Sequence, residues 1–275
     1  MPTIKDWLFG ATSKLSNTGV ESARLDAEII LADSIKKTRT YLHAHNDEFL
    51  GTKSIKKSDF QLARRLMHEP IAYIIGYKDF YGRKFIVTPD TLIPRPESED
   101  MIEILKEILT TNTYQQLPIK LVDIGTGSGC LGITAKLEFP FLDVILTDVS
   151  KSALRIAEKN AEKFDVKVNI INTDLLRSFA NRSDIIIANL PYVDPNWERS
   201  PETNFEPGLA LFANNRGLSV NKKLIAQTTE KLAQDGYLII ESDPCQHIPL
   251  IKYANKYNLK KIYLKNYIVA FKKTL

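Results

Sequence analysis

The carboxyl-terminal part of the chain alternates short apolar runs with stretches of helical periodicity. The apolar, β-branched runs predict strands over 120–124, 143–147, 167–171, 184–188, 236–241, 260–264 and 266–272. Between them, the spacing of apolar positions predicts helices over 129–138, 150–163, 218–234 and 246–256. This alternation is typical of a mostly parallel sheet covered on both faces. The last two strands are separated only around Lys265 and Asn266, too short for a parallel crossover, so we expect them to be antiparallel.

Residues 1 to about 70 show helical patterning without a cluster of catalytic side chains. Leu25, Ile29 and Ile30 share one face of a predicted helix. A second set of apolar positions predicts another helix, with Ser58 or Asp59 as its N-cap: Phe60, Leu62, Ala63 and Leu66. We interpret this region as a small helical module whose role is either packing or partner binding.

The stretch 71–95 has a different pattern. Residues 71–76 and 80–87 are β-branched and aromatic, and Gly76 and Gly82 punctuate them, which predicts a β-hairpin. Prolines on both sides of Arg95 predict a stiff, extended backbone, and a helix is expected from about Glu99 to Leu109. The predicted domains are therefore a helical module over 1–70, a hairpin linker over 71–95 and an α/β domain over 96–275.

Composition narrows the class of protein. The 275 residues are 44% hydrophobic and 25% charged, as in an ordinary globular protein, and the net charge of +4 permits a nucleic-acid partner without arguing for one. Cys130 and Cys245 cannot make a disulfide framework, and the histidines lack metal-ligand spacing, so no metal site is predicted. No apolar run is long enough for a membrane span and the start shows no apolar signal core, so we expect a cytoplasmic protein.

A glycine-rich loop, Asp123-Ile124-Gly125-Thr126-Gly127-Ser128-Gly129, follows a predicted strand and opens a predicted helix. Its glycines allow positive φ angles and a close approach of the backbone to a ligand. The spacing differs from GxGxxG, which disfavours a dinucleotide, and Asp123 suits a ligand that carries an ammonium group. The alternative is a tight strand-to-helix turn with no ligand.

Two further acids follow predicted strands. Asp148 ends the second strand of the α/β domain, where a carboxylate can accept both hydroxyls of a ribose, or else cap the helix that starts near Ser150. Asp174 ends the third strand, where it can accept from an exocyclic amine while Leu175 packs on a base, or else make a cap or turn. An adenosine-type ligand with a cationic amino-acid tail satisfies all three acids, so S-adenosylmethionine fits better than a nicotinamide dinucleotide.

The tetrapeptide Asn189-Leu190-Pro191-Tyr192 follows the predicted strand 184–188. Asn189 Oδ1 and the Leu190 carbonyl can accept the two hydrogens of a planar NH2 group and point its nitrogen at a methyl donor. Tyr192 can stack on a planar substrate group, and Pro191 fixes the turn. The alternative is a turn residue and a core tyrosine. A loop over 205–212 can cover the site or serve ordinary packing.

Several stretches together resemble one family: Arg24–Glu28, Pro70–Gly76, Phe80–Gly82, Leu92–Glu99 with its Ile-Pro-Arg-Pro-Glu core, the glycine-rich loop, Asn189-x-Pro191-Tyr192 and Glu206-Pro207. Over nearly its full length the chain resembles release factor glutamine methyltransferases of the HemK/PrmC type. The resemblance implies an N-terminal helical bundle that helps hold the release factor, a hairpin linker and a seven-stranded, Rossmann-like methyltransferase domain. It also implies methylation of the side-chain amide of the glutamine in the Gly-Gly-Gln motif of class I release factors.

The resemblance also implies roles for individual residues. It assigns Gly125 to Gly129, Asp148 and Asn189 to S-adenosylmethionine, with Leu175 near the base. It assigns Asn189 to Tyr192 and Glu206 to the substrate. The chain departs from the family pattern at Leu190, where the family has a proline, and at 266–271, which lack the expected Gly and Arg.

Three functions compete at this point. Glutamine methylation of a release factor leads, because the helical module and the Pro-Arg-Pro-Glu stretch precede the glycine-rich loop. The alternative is methylation of an exocyclic amine of adenine or cytosine in rRNA or DNA, since Asn-Leu-Pro-Tyr also resembles ribosomal RNA adenine dimethyltransferases. The third is a non-catalytic cofactor-binding protein, which Asn189 and Tyr192 disfavour. We expect a monomer that binds class I release factors and neither nucleic acid nor membranes.

Overall fold

The computed structural model describes residues 1–111, 118–179 and 182–274. Contacts divide the chain into two compact units, one formed by Met1–Tyr77 with Ser200–Phe205 and the other by Lys78–Arg199 with Glu206–Leu275. The domain boundaries at 70 and 95 stay a prediction, and the predicted range 96–275 includes positions outside the described residues.

The first unit is helical, as predicted. Its helices are α1 Ile4–Asn17, α2 Ala23–Ile35, α3 Arg39–Ala44, α4 Thr52–Leu66 and α5 Ile71–Ile75. They enclose an apolar core that includes Leu15, Ile30, Leu31 and Leu42. The prediction of a strand over 71–76 was wrong. Pro70 stands at the N-cap of α5, and Gly76 ends the helix with a φ of 83°, so the two flanking residues shape this apolar run into a helical turn.

Two details of the helical prediction were also wrong. Helix α4 begins at Thr52, so Ser58 and Asp59 lie inside it: Ser58 Oγ donates to Ser54 O, and Asp59 accepts from Trp7 Nε1 at 2.8 Å. Leu25 is 42% exposed, although the apolar spacing of α2 placed it on the buried face. The buried face of α2 instead includes Asp26 and Glu28, which pair with arginines.

Arg65 ties a distant segment to the helical unit. Its guanidinium is buried, with Nε 2.6 Å from Asp26 Oδ2 and Nη2 2.8 Å from Glu202 Oε1. A buried guanidinium is tolerated when carboxylates neutralise it and satisfy its donors. This ion pair links segment 200–205 to the helices of the same unit.

The second unit is the predicted α/β domain. A hairpin of β1 Tyr77–Phe80 and β2 Arg83–Ile86 precedes a seven-stranded sheet in the order β5-β4-β3-β6-β7-β9-β8. Its strands are β3 Ile119–Ile124, β4 Leu142–Asp148, β5 Asn169–Asn172, β6 Ser183–Ala188, β7 Leu232–Glu241, β8 Leu259–Lys265 and β9 Ile268–Lys273. β3 to β7 pair in parallel, whereas β9 is antiparallel to β7 and β8, which confirms the predicted mixed sheet.

Helices cover both faces of this sheet. They are α6 Glu99–Thr111, α7 Cys130–Glu138, α8 Lys151–Lys163, α9 Gly208–Leu211, α10 Ser219–Lys231 and α11 His247–Ala254. One apolar core lies under α6, α7 and α8, and the other under α10 and α11. The helix predicted over 218–234 ends at Lys231, because β7 already begins at Leu232. The loop predicted over 205–212 contains the short helix α9.

The order of the strands reverses at β3, which lies between β4 and β6. Ile124, the last residue of β3, is in register with Thr147 of β4 and with Ala188 of β6. The glycine-rich loop, Asp148 and Asn189 therefore leave the sheet side by side, at the switch point where open α/β sheets bind ligands.

Asn160 of α8 joins three parts of the second unit. It is fully buried; its Oδ1 accepts from Ile86 N at 2.7 Å, and its Nδ2 donates to Ile86 O at 3.0 Å and to Ser128 O at 2.8 Å. One amide side chain thereby joins the hairpin and the glycine-rich loop to helix α8.

We expect Asn160→Ala to lower the free energy of unfolding by about 2–4 kcal/mol, because it leaves buried backbone groups without partners. Urea denaturation followed by circular dichroism measures the change. The control is Asn169→Ala on β5, where an exposed amide makes one contact of 3.5 Å, to Asp143. Equal losses in the two variants would contradict the joining role of Asn160.

Candidate active site

A cavity of about 340 Å³ lies at the carboxyl ends of β3, β4 and β6. Most of the residues predicted for the site line it: Gly125, Thr126, Gly127, Ser128, Asp148, Asp174, Leu175, Asn189, Leu190 and Pro191. Its size falls within the range of small-molecule sites. Among the described residues, the lining does not include four others that were predicted for the site: Asp123, Gly129, Tyr192 and Glu206. The ligand contacts expected of those four stay predictions.

The glycine-rich loop is fixed by backbone hydrogen bonds. Thr126 N donates to Thr147 O at 2.8 Å, and Gly127 N donates to Asp148 Oδ2 at 3.0 Å. Gly127 has a φ of 55°, and nothing lies within 4 Å of the position that a Cβ would take. The backbone at Gly127 is therefore open to a ligand in the cavity.

Asp123 lies beneath the loop. Its side chain is buried, and its Oδ2 accepts from Thr126 Oγ1 at 2.6 Å and from Gly132 N at 2.9 Å. Burial raises the pKa of this carboxyl to about 6. In this arrangement Asp123 closes the turn from β3 into α7.

Asp148 faces the cavity from the end of β4. Its Oδ1 accepts from Ser150 N at 2.8 Å and its Oδ2 from Gly127 N, and each oxygen keeps a lone pair for a further donor. Burial raises the pKa of the Asp148 carboxyl. Ser150, not Asp148, supplies the side-chain cap of α8 by accepting from Ala153 N. Asp148 is thus free to accept the two hydroxyls of a ribose.

The third acid has a partner within the protein. Asp174 Oδ2 lies 2.6 Å from Lys223 Nζ, and Leu175 is buried with a φ of 53°. Leu175 offers the cavity an apolar surface suited to a planar base. Together, an acceptor for a diol, an apolar wall and an open glycine backbone form a site that fits S-adenosylmethionine.

Asn189 is the first residue of a hydrogen-bonded chain. Its Nδ2 donates to Ser98 Oγ at 3.0 Å, and Ser98 Oγ donates to Glu241 Oε2 at 2.5 Å. The hydroxyl of Tyr192 donates to Glu241 Oε1 at 3.1 Å. Burial raises the pKa of Glu241 and that of Tyr192. One carboxylate therefore connects the first and last residues of the tetrapeptide.

The backbone of the tetrapeptide is held by close packing. Gly125 has a φ of 69°, and a Cβ there would lie 2.7 Å from Leu190 Cδ2. Gln246 Nε2 donates to Tyr192 O at 2.7 Å, and a Cβ on Gly217 would lie 1.9 Å from the same oxygen. These contacts hold the turn in place where Leu190 lacks the fixed φ of a proline.

Glu206 braces the stretch before α6. It is buried, forms a close ion pair with Arg95 and accepts from Ile93 N at 3.1 Å. Glu206 thereby anchors the Pro-Arg-Pro segment that leads to Ser98.

The sequence reasoning missed Ser98, Glu241 and Gln246. Glu241 ends an apolar strand, the same signal that located Asp148, so it could have been found. Ser98 and Gln246 give no such signal. Ser98 reaches Asn189 across 91 positions of the chain, and Gln246 reaches Tyr192 across 54.

Two family profiles match the chain. The profile described as the PrmC N-terminal domain matches residues 6–76, and the methyltransferase small domain matches residues 98–202. The first match covers nearly all of Met1–Tyr77, the larger of the two segments of the helical unit.

Several relatives are similar over most of the chain. A release factor glutamine methyltransferase from Koribacter versatilis is 34% identical, with 90% of both chains covered. One from Staphylococcus aureus is 36% identical, with 88% of this chain and 86% of the relative covered. A bifunctional methyltransferase from Rickettsia felis is 34% identical, and the chain spans only 55% of that longer protein.

Solved structures share the fold at low identity. A 16S rRNA methyltransferase from T. thermophilus, solved with AdoMet and guanosine, superposes with a TM-score of 0.54 at 17% identity, covering 72% of this chain and 50% of that one. A methyltransferase from Pyrococcus furiosus gives 0.53 at 20% identity, covering 79% of this chain and 100% of that one. Both similarities concern the fold.

We expect Asp148→Ala to weaken S-adenosylmethionine binding by roughly a hundredfold, because two hydrogen bonds to a charged acceptor are lost. Isothermal titration calorimetry measures the affinity. Asp143→Ala, near the opposite end of β4, is the matched control and should bind normally. An unchanged affinity in Asp148→Ala would place the ribose elsewhere.

Asp123 predicts a pH dependence of stability. Its pKa rises from 3.8 to about 6 on folding, so the folded state binds more protons between these values and the contribution of Asp123 to stability falls as the pH rises through them. Asp123→Asn removes the charge. The free energy of unfolding of this variant relative to wild type should therefore increase from pH 4 to pH 7, by up to about 3 kcal/mol.

Urea denaturation across this pH range tests the expectation. The exposed Asp47→Asn serves as the control for a general charge effect. A difference between Asp123→Asn and wild type that does not vary with pH would show that Asp123 does not titrate there.

Proposed function

The chain belongs to the release factor glutamine methyltransferase family, and from that premise we propose that it methylates the side-chain amide nitrogen of the glutamine in the Gly-Gly-Gln motif of class I release factors. S-adenosylmethionine is the methyl donor. One observation carries the proposal: Asn189, Leu190 and Pro191 line the same cavity as the glycine-rich loop and Asp148. An amide held by the tetrapeptide therefore lies beside a donor held by the loop.

The protein's contribution to the reaction is orientation. The donor, when bound, would supply an electrophilic methyl group on a sulfonium: the new N–C bond would replace the C–S bond, a neutral thioether would leave, and the methylated nitrogen would lose one proton. Asn189 Oδ1 and the Leu190 carbonyl accept the two hydrogens of the glutamine NH2 group, which directs its nitrogen into the cavity. The same two acceptors stabilise the positive charge that develops on this weakly nucleophilic nitrogen.

One stretch of apolar residues lines part of the cavity. Pro207, Leu209, Ala210 and Phe212 belong to its lining, around helix α9. An apolar wall excludes water, which strengthens the hydrogen bonds made to the substrate amide. We assign this segment the role of a cover over the reacting groups.

One feature favours a second candidate, the exocyclic amine of adenine or cytosine in rRNA or DNA. Leu190 gives the tetrapeptide the Asn-Leu-Pro-Tyr form, which suits any planar amine. The N-terminal profile match and the release factor relatives favour the protein substrate.

The oligomeric state, location and partners of the enzyme are also proposed. In the described ranges, no helix combines the length and apolar character that a membrane crossing needs. We propose a monomer that acts in the cytoplasm and binds the release factor without contacting nucleic acid.

The assay uses labelled S-adenosylmethionine with purified class I release factor, the same factor with its Gly-Gly-Gln glutamine replaced, and rRNA. Label should appear on the unaltered factor alone. Label on the glutamine-replaced factor, or on rRNA only, would refute the proposed substrate, and the second result would establish the nucleic-acid alternative.

We expect Asn189→Ala to lower kcat by roughly a hundredfold or more while S-adenosylmethionine affinity stays within a few-fold, because an acceptor for the substrate amide is lost. Steady-state kinetics and calorimetry separate the two effects. Asn196→Ala is the matched control, because the Asn196 side chain is exposed and, among the described residues, bonds to Asp194. A collapse of cofactor affinity would identify Asn189 as a cofactor or structural residue instead.

A further inference from the structure

We propose that Ser98 and Glu241 are positioning residues that lock the amide of Asn189 in one orientation, with Oδ1 turned toward the substrate. The inference rests on the proposed function, because it concerns how Asn189 receives the glutamine. Neither residue lies in the tetrapeptide: Ser98 follows the Pro-Arg-Pro segment, and Glu241 ends β7.

The direction of the hydrogen bonds carries the argument. An ionised carboxylate is an acceptor only, so Ser98 must use its single hydroxyl hydrogen to donate to Glu241 Oε2, 2.5 Å away. The Ser98 oxygen is then left with lone pairs alone toward Asn189. Of the two ends of the Asn189 amide only the NH2 can donate, so Nδ2 turns to Ser98 at 3.0 Å.

The orientation of Asn189 decides what a substrate meets. With Nδ2 held by Ser98, the other end of the amide, Oδ1, is the end available to a bound amine. A flipped Asn189 would present an NH2 group to the NH2 group of the glutamine. Two donors facing each other repel, and an acceptor needed for orientation is lost.

Glu241 is placed to act as a fixed acceptor. It is 1% exposed, and each of its carboxylate oxygens accepts one O–H: Oε2 from Ser98 and Oε1 from Tyr192. Two hydroxyl donors compensate a buried carboxylate for part of its lost hydration. The same carboxylate thereby connects Asn189, through Ser98, with Tyr192.

Three variants separate this role from ordinary packing. Ser98→Ala removes the hydroxyl, Ser98→Thr keeps it, and Glu241→Gln keeps the shape but introduces an NH2 donor. An NH2 group facing Ser98 reverses the chain of hydrogen bonds, since Ser98 then donates to Asn189 Oδ1. Ser183→Ala is the matched control. Ser183 is a buried serine at the start of β6, whereas Asn189 follows the end of that strand, and its Oγ has no hydrogen-bond partner among the described residues.

We expect Ser98→Ala and Glu241→Gln to lower kcat/KM for the release factor by roughly tenfold or more, with S-adenosylmethionine affinity within about twofold of wild type. Ser98→Thr should recover most of the activity, and Ser183→Ala should resemble wild type. Full activity in Ser98→Ala and Glu241→Gln, or a loss in Ser98→Thr as large as in Ser98→Ala, would overturn the proposal.

A second measurement does not need the substrate. The side-chain amide signal of Asn189 in a nitrogen–proton NMR spectrum is identified by its disappearance in Asn189→Ala. In wild type, the hydrogen bond to Ser98 should slow its exchange with solvent, and Ser98→Ala and Glu241→Gln should shift the signal and speed the exchange. A signal that is unchanged in both variants would show that the lock does not exist.

The two measurements separate two kinds of failure. A wild-type enzyme that leaves the glutamine unmodified refutes the proposed function, and with it the catalytic purpose of the lock, while the NMR signal still reports whether Ser98 holds Asn189. If the wild-type enzyme methylates the factor but Ser98→Ala and Glu241→Gln change neither activity nor the NMR signal, the positioning role of Ser98 and Glu241 is refuted and the proposed function stands.

Discussion

A buried carboxylate must find donors inside the protein, and this requirement organises the site. Glu241 is the last residue of β7, Asp123 is the last but one of β3, and both are 1% exposed. Glu241 accepts hydroxyl hydrogens from Ser98 and Tyr192, while Asp123 accepts from Thr126 and a backbone N–H. Neither acid lines the cavity, yet each holds a segment that does. Asp148, which does line the cavity, is held in turn by the backbone of the loop that Asp123 closes.

The tetrapeptide Asn189–Tyr192 is therefore positioned by contacts with other parts of the chain, not by the rigidity of its own backbone. The family resemblance implies a proline at the position of Leu190, whose side chain here fills the space that glycine leaves at position 125. On the other side of the segment, Gln246 holds the Tyr192 carbonyl. Packing on one side and a hydrogen bond on the other do the work that a second rigid φ would otherwise do.

The sheet and half of the site could be predicted because they depend on local order along the chain. The glycine-rich loop, Asp148 and Asn189 each lie at the carboxyl end of a strand. In a parallel sheet these ends share one edge, independently of the conformation of the loops. The error at α5 arose because Ile71-Ala72-Tyr73-Ile74-Ile75 fits a strand as well as a buried helical turn, and only Pro70 and Gly76 decide between them. The contacts of Ser98 could not be predicted, since they join residues 91 and 143 positions apart.

The ion pair of Arg65 with Glu202 has a consequence for the order in which the chain can fold. The two residues are 137 positions apart, although both belong to the helical unit. At a synthesis rate of about 5–20 residues per second, Glu202 leaves the ribosome on the order of ten seconds after Arg65. Of its two carboxylate partners in the described structure, Arg65 then has Asp26 alone, so the charge cluster of the helical unit is incomplete during that interval. The helical unit, first to be made, is completed only when nearly three quarters of the chain has been synthesised.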